Sequence, residues 1–196
     1  PETNPHQAAL FGKVWLRGTR FATEETIEAG FDQGIFVDLL PYDALSSDPA
    51  TAAKQRRDCR FWQSVSYLSH AKSIVVPHKG ALGAIERAAC GAAHLAARGL
   101  YSPEKIVSRF NKAATCGNDP SIASDDLVVM AYATYEPYVR SMMLPTSTVT
   151  FEGCEFPAPA DPEAFLRQLY GEWRKLPPVE ARRNHAPVEL DFGPYA

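Results

Sequence analysis

The sequence contains no apolar run approaching the roughly 20 residues that cross a bilayer and no basic-then-apolar leader, so nothing in it reads as a membrane span or a secretory signal. Cysteine is sparse. Cys59, Cys90, Cys116 and Cys154 stand 31, 26 and 38 residues apart, without the short spacing of a structural zinc site. They read as free thiols; Cys59 and Cys90 fall in helical patterns as small apolar residues, which favours a reducing, cytoplasmic setting over a disulfide framework. An excess of positive charge is missing as well, because a net charge of -3 and a pI near 6.0 leave no electrostatic footprint for nucleic acid or anionic membrane. Any anion site has to be local. The opening PETNPHQ has no initiator methionine and no helix or strand pattern, and reads as the start of a piece whose N-terminal part was cut away or never included.

What is present suffices for one domain over residues 1–196: 45% apolar and 22% charged residues, with no composition break. The stretch around which the rest is read is Gly34 to Asp43, GIFVDLLPYD. Ile35, Phe36 and Val37 precede Asp38, Leu39 and Leu40 follow it, and Pro41 closes a short strand expected to be buried. A carboxylate in such a run needs a cation, a donor cluster or a metal, or else serves as an acceptor for backbone donors at the strand end. Asp38 is the first functional candidate. Upstream, Phe11 to Leu16 alternates as a strand, and Lys13, Arg17 and Arg20 follow one another without an acid. Such a cluster can hold an anion or form a solvated edge.

The middle of the chain is helical. Asp48-Pro49 starts a helix running to the neighbourhood of Ala71, with Ala53, Phe61, Trp62, Val65 and Leu68 inward and Lys54, Arg56, Arg57 and Arg60 on a solvated face. A second, from about Lys79 to Arg98, carries Ala81, Ile85, Ala88, Ala92 and Leu95 as its apolar stripe; His94 beside it reads as a packing residue. Ser102-Pro103-Glu104 opens a third, with Ile106, Val107, Phe110 and Ala114 inward. Residues 117–126 read as loop and Leu127 to Tyr132 as a strand. Tyr132, Tyr135 and Tyr138 read as packing aromatics that could also stack on a base. Toward the C-terminus, Thr148 to Phe151 and Cys154 to Phe156 form short strands around Gly153, Asp161-Pro162 caps a helix ending at Gly171, and Leu176-Pro177-Pro178 forbids another.

Two stretches resemble the LicD family of phosphotransferases. One is Gly34 to Asp43, with its Asp and Pro-x-Asp ending. The other runs from Phe151 to His185, where Phe151-Glu152-Gly153, Phe156-Pro157, Pro159, Tyr170-Gly171, Leu176-Pro177-Pro178 and His185 fall in the family's order. Phe11 to Thr19 is a weaker third match, and the fukutin-type transferases are a more distant comparison. The resemblance implies an α+β, nucleotidyltransferase-like fold: a small mixed sheet, a helical middle region and a C-terminal helix. It implies transfer of a phosphorylated alcohol, phosphocholine or similar, from a CDP-linked donor to a sugar hydroxyl of a cell-surface glycan. Asp38 would be catalytic and hold Mg2+ or Mn2+, His185 would be catalytic as acid or base, and Lys13, Arg17, Tyr170 and Arg183 would bind substrate. Tyr170 to His185, with Trp173, Arg182 and Arg183, would wall the active site. The family's Gly-rich turn and aspartate cluster have no match here, so the chain is expected to be the C-terminal part of such a transferase, inactive alone unless another chain supplies that segment. The alternative is a non-catalytic remnant that binds a nucleotide or a partner.

Overall fold

The computed structural model describes residues 8–70, 78–182 and 187–196. In chain order these form β1 (Gly12–Trp15), β2 (Arg20–Ala22), α1 (Glu24–Ala29), β3 (Phe36–Leu39), β4 (Asp43–Ser46), α2 (Pro49–His70), α3 (Gly80–Leu100), α4 (Pro103–Ala114), β5 (Ala123–Val128), β6 (Tyr138–Val139), α5 (Arg140–Met143), β7 (Ser147–Phe151), β8 (Cys154–Ala158), α6 (Pro162–Tyr170) and β9 (Glu189–Asp191). The architecture is α+β, with a helical middle and a helix near the C-terminal end. Its described strands divide among small antiparallel sheets, β4-β5-β6 and the pairs β1-β3, β2-β9 and β7-β8, and do not join in one mixed sheet. No described helix is long and apolar enough to cross a membrane.

The core lies between α2, α4 and the three-stranded sheet. Leu45 of β4, Cys59 of α2, Phe110 and Ala114 of α4 and Val128 of β5 pack there with Val129, Met130, Ala131 and Ala133, while Val65, Ala97 and Ile106 form a second cluster where α2, α3 and α4 meet. All four residues of β4 are buried. That corrects the expectation that the Asp38 strand would be the buried one: Val37 is 65% exposed and Leu39 is also exposed, because β3 pairs only with β1 among the described strands. The apolar pattern pointed to β3, Phe-Val-Asp-Leu, whereas β4, Asp-Ala-Leu-Ser, carries a carboxylate whose partner, Asn118, lies far along the chain.

Helix starts follow the capping chemistry. Asp48 accepts the Thr51 backbone N–H at 2.8 Å and its hydroxyl at 2.6 Å, ahead of Pro49, whose missing donor costs nothing at the first helical position. Ser102 accepts from the Lys105 N–H and Asp161 from the Ala164 N–H. The Thr51 hydrogen bonds hold the Asp48 carboxyl below its ordinary value. A depressed carboxyl contributes stability that is present above its unfolded pKa and is lost as pH falls through the folded one. Asp48→Asn keeps an acceptor and removes the titration, so the stability gap between wild type and variant in urea should close as pH is lowered through the carboxylate range; a gap constant with pH would show that the charge adds nothing to the cap.

The inward faces of α2 and α3 differ from those expected. In α2 the buried residues are Gln55, Cys59, Val65 and Ser66, and Phe61 is exposed; Gln55, Cys59, half-buried Trp62 and Ser66 follow the 4,3,4 spacing of one helical face, but two of them are polar and drop out of an apolar-only pattern. In α3, Gly83 and Ala97 are buried while Ile85 and Leu95 face out. Gly83 is required locally, because a Cβ there would lie 2.1 Å from the carbonyl oxygen of His78, just ahead of the helix. His94 packs as expected, with Nδ1 2.5 Å from the Leu68 carbonyl oxygen. The strand expected over Leu127 to Tyr132 begins earlier, at Ala123, and Met130–Tyr132 is a 3-10 turn.

Candidate functional site

β1 and β3 run antiparallel with Lys13 opposite Asp38, Val14 opposite Val37 and Trp15 opposite Phe36. Alternation along each strand puts Lys13, Trp15, Phe36 and Asp38 on one face. Lys13 Nζ lies 2.9 Å from Asp38 Oδ1 and 3.7 Å from the centre of the Phe36 ring. The ammonium is thus held by a carboxylate and an aromatic face together. Its side chain is 14% exposed, against 34% for Asp38. Asp38 therefore has the cation that the sequence demanded, and Lys13, expected on a substrate phosphate, is engaged by Asp38. Among the described residues Asp38 pairs with Lys13 and with no other cation.

Lys13 also lines a groove of about 430 Å3 with Trp15, Arg17, Thr19, Asp32 and Gly34. Thr19 shapes it: its hydroxyl donates to the Leu16 carbonyl at 2.7 Å and accepts the Ile35 N–H at 2.9 Å. Gly34 is required by the approach of the two chains, since a Cβ there would meet the Leu16 carbonyl oxygen at 2.7 Å. Of the three cations in this segment, Arg20 is taken by Asp32 at 2.6 Å and Glu189 at 2.7 Å. Arg17 forms no ion pair with a described residue. It is the cation of this groove available to an anion.

A run of tyrosines leads from this ladder toward α6. Phe11 and Tyr132 have ring centres 6.2 Å apart, and Tyr132 and Tyr135 are stacked at 5.3 Å and 15°. Burial raises the Tyr132 phenol, and the Asp38 charge raises it further. Tyr138 is buried and packs on Tyr42 at 5.7 Å and on Phe165 of α6 at 5.0 Å. Burial, with smaller contributions from Tyr138 and Tyr170, pushes Tyr42 up to about 12. Tyr170, 67% exposed, ends α6, the helix whose Phe165 packs on Tyr138. Trp173, in the stretch expected to wall the site, carries the Arg174 guanidinium 4.5 Å from its ring centre, and Arg174 grips Glu163 at 2.6 Å through both oxygens. Arg182 donates to the Pro177 carbonyl. Arg183 and His185 lie outside the described residues.

Two features escaped the sequence. Asp43, 7% exposed, is the buried carboxylate of the segment, and Asn118 Nδ2 donates to it at 2.8 Å while Asn118 Oδ1 accepts the Ala44 N–H at 2.8 Å. No local pattern connects residues so far apart in the chain. Arg56, read as part of a solvated face, donates to the carbonyls of Ala133 and Tyr135, both at 2.8 Å, and so braces the tyrosine turn from α2.

Mg2+ takes one or two carboxylates together with waters and substrate phosphate oxygens. Asp38, whose side chain is 34% exposed, fits as one ligand of such a shell; no group of three or more ligand-type side chains gathers among the described residues, so they do not form a complete cage. The cysteines are free thiols. No family model, no curated protein and no solved structure matches the chain.

Proposed function

We propose that the chain acts as a LicD-like phosphotransferase, moving a phosphorylated alcohol such as phosphocholine from a CDP-linked donor to a sugar hydroxyl of a glycan. The observation that carries this reading is the pairing of Asp38 with Lys13 beside the groove that holds Arg17: a partly exposed carboxylate and two cations within one short ladder and its following turn. Phosphoryl transfer asks mainly for positioning and charge neutralisation, and this set is suited to both. Arg17 would take a diphosphate oxygen by a charge-assisted hydrogen bond, and Lys13 would hold Asp38 in place and offset charge as the donor enters. Mg2+ or Mn2+ bound at Asp38 would supply charge neutralisation to the diphosphate. Tyr170, Arg183 and His185 remain part of the proposal through the resemblance, with His185 as acid or base.

A second reading draws on the same ion pair. A carboxylate already neutralised by Lys13 is suited to a protein that binds the nucleotide without turning it over. The two readings separate in one experiment: titration of CDP-choline into the protein with Mg2+ by calorimetry, followed by an assay for released CMP. Binding is expected, and Asp38→Asn should weaken it about tenfold, the scale of losing one ligand interaction, with Tm nearly unchanged. Binding without CMP release, also after a polypeptide carrying the aspartate cluster is added, selects the second reading. If wild type does not bind, or Asp38→Asn binds as tightly while melting several degrees lower, Asp38 is a structural partner of Lys13 and the phosphotransferase reading falls.

A further inference from the structure

The tyrosine turn beside Asp38 has features that the ion pair and groove leave unexplained. Tyr132 and Tyr135 stack nearly parallel, yet both remain substantially exposed, Tyr135 by 49%. Tyr138, at the end of the same segment, is by contrast buried. The exposed pair is also held rigidly: the Tyr135 N–H donates to the Tyr132 carbonyl at 2.9 Å, and Arg56 clamps the carbonyls of Ala133 and Tyr135 from the neighbouring helix. Held in this way, the pair exposes apolar ring area with little conformational entropy left to lose on binding.

The surroundings of the pair narrow what it can receive. Tyr132 meets Phe11 with ring centres 6.2 Å apart, and the Lys13 ammonium stands 5.6 Å from the centre of that Phe11 ring and 2.9 Å from Asp38, while the Arg56 guanidinium sits on the carbonyl of Tyr135 itself. A ligand with a flat, uncharged ring and an attached anion matches this combination of aromatic face and fixed cation; an aliphatic ligand gains nothing from the ring, and a free cation is repelled by Arg56. We infer that Tyr135 is the stacking platform for the pyrimidine base of a nucleotide, with Tyr132 backing it and the phosphates directed toward the Asp38–Lys13 ladder. The inference rests on the proposed donor reading and adds to it the subsite for the base. A base stacks through its π-face, a contact that tolerates any base and gives the platform affinity more than selectivity.

The test uses CMP and ribose 5-phosphate as ligands, because the second shares the sugar phosphate and lacks the base. Calorimetry on the whole chain with Mg2+ should show CMP bound more tightly than ribose 5-phosphate by wild type. Tyr135→Ala should weaken CMP about tenfold, within the range measured for losing one base–aromatic stack, and leave ribose 5-phosphate unaltered; Tyr135→Phe should restore CMP binding, since the ring and not the hydroxyl does the stacking. CMP affinity unchanged in Tyr135→Ala overturns the inference while the donor reading stands. An equal loss for both ligands also overturns it, because the residue would then shape the site without meeting the base. Absence of CMP and CDP-choline binding by wild type removes the donor reading, and the inference with it.

Discussion

Gln55→Leu is expected to destabilise the protein by about 3 kcal/mol, the sum of three backbone groups left without partners at roughly 1 kcal/mol or more each. Gln55 is buried in α2. Its Nε2 donates to the Ala44 carbonyl at 3.0 Å and the Ala114 carbonyl at 2.8 Å, and its Oε1 accepts the Ser46 N–H at 3.2 Å. One amide therefore joins α2, β4 and the end of α4. Leucine keeps most of the volume, so cavity formation contributes little and the loss reports the polar groups. Urea unfolding at neutral pH measures it, with an unchanged m-value showing that the same surface is exposed. A loss below about 0.5 kcal/mol, the lower end for one such bond, would mean that the backbone groups of β4 find other partners, and the place of Gln55 as the central tie of the core would be lost.

Gly117→Ala should cost about as much by a different route. Gly117 closes the 3-10 turn after α4, and a Cβ there would stand 2.3 Å from the Ala44 carbonyl oxygen and 2.7 Å from the Ser46 nitrogen. Both are backbone atoms of a fully buried strand, so neither can rotate away. The turn or the strand has to move, and the expected loss is about 3 kcal/mol, at the upper end for overpacking. Such movement would also pull on Asn118, whose side chain holds Ala44 and Asp43. Because Gln55 and Gly117 act on the same strand, the double variant should lose less than the sum of the two, and full additivity would show that they do not share β4 as a common element. An alanine variant as stable as wild type would place the turn farther from β4 than the structure has it.

The helical middle and its caps were legible in the sequence because they depend on neighbours in the chain: Asp48 before Pro49, Ser102 before Pro103 and Asp161 before Pro162 each satisfy orphan N–H groups within the next turn. The C-terminal hairpin around Gly153 was legible for the same reason, with Ser147–Phe151 pairing Cys154–Ala158 across a two-residue turn. The partner expected for Asp38 is there, although the burial of the strand from which it was expected is not: β3 is largely exposed. Tertiary structure alone decided that the partner is Lys13, that β4 and not β3 is buried, and that Gln55, Asp43 and Asn118 form the polar ties of the core. It also decided that two of the three tyrosines face out. In each case the outcome is fixed by pairings over long stretches of chain, such as Ala44 with Asn118 or Arg56 with Tyr135, and a buried polar residue satisfied across the fold has the same local sequence as an exposed one satisfied by water.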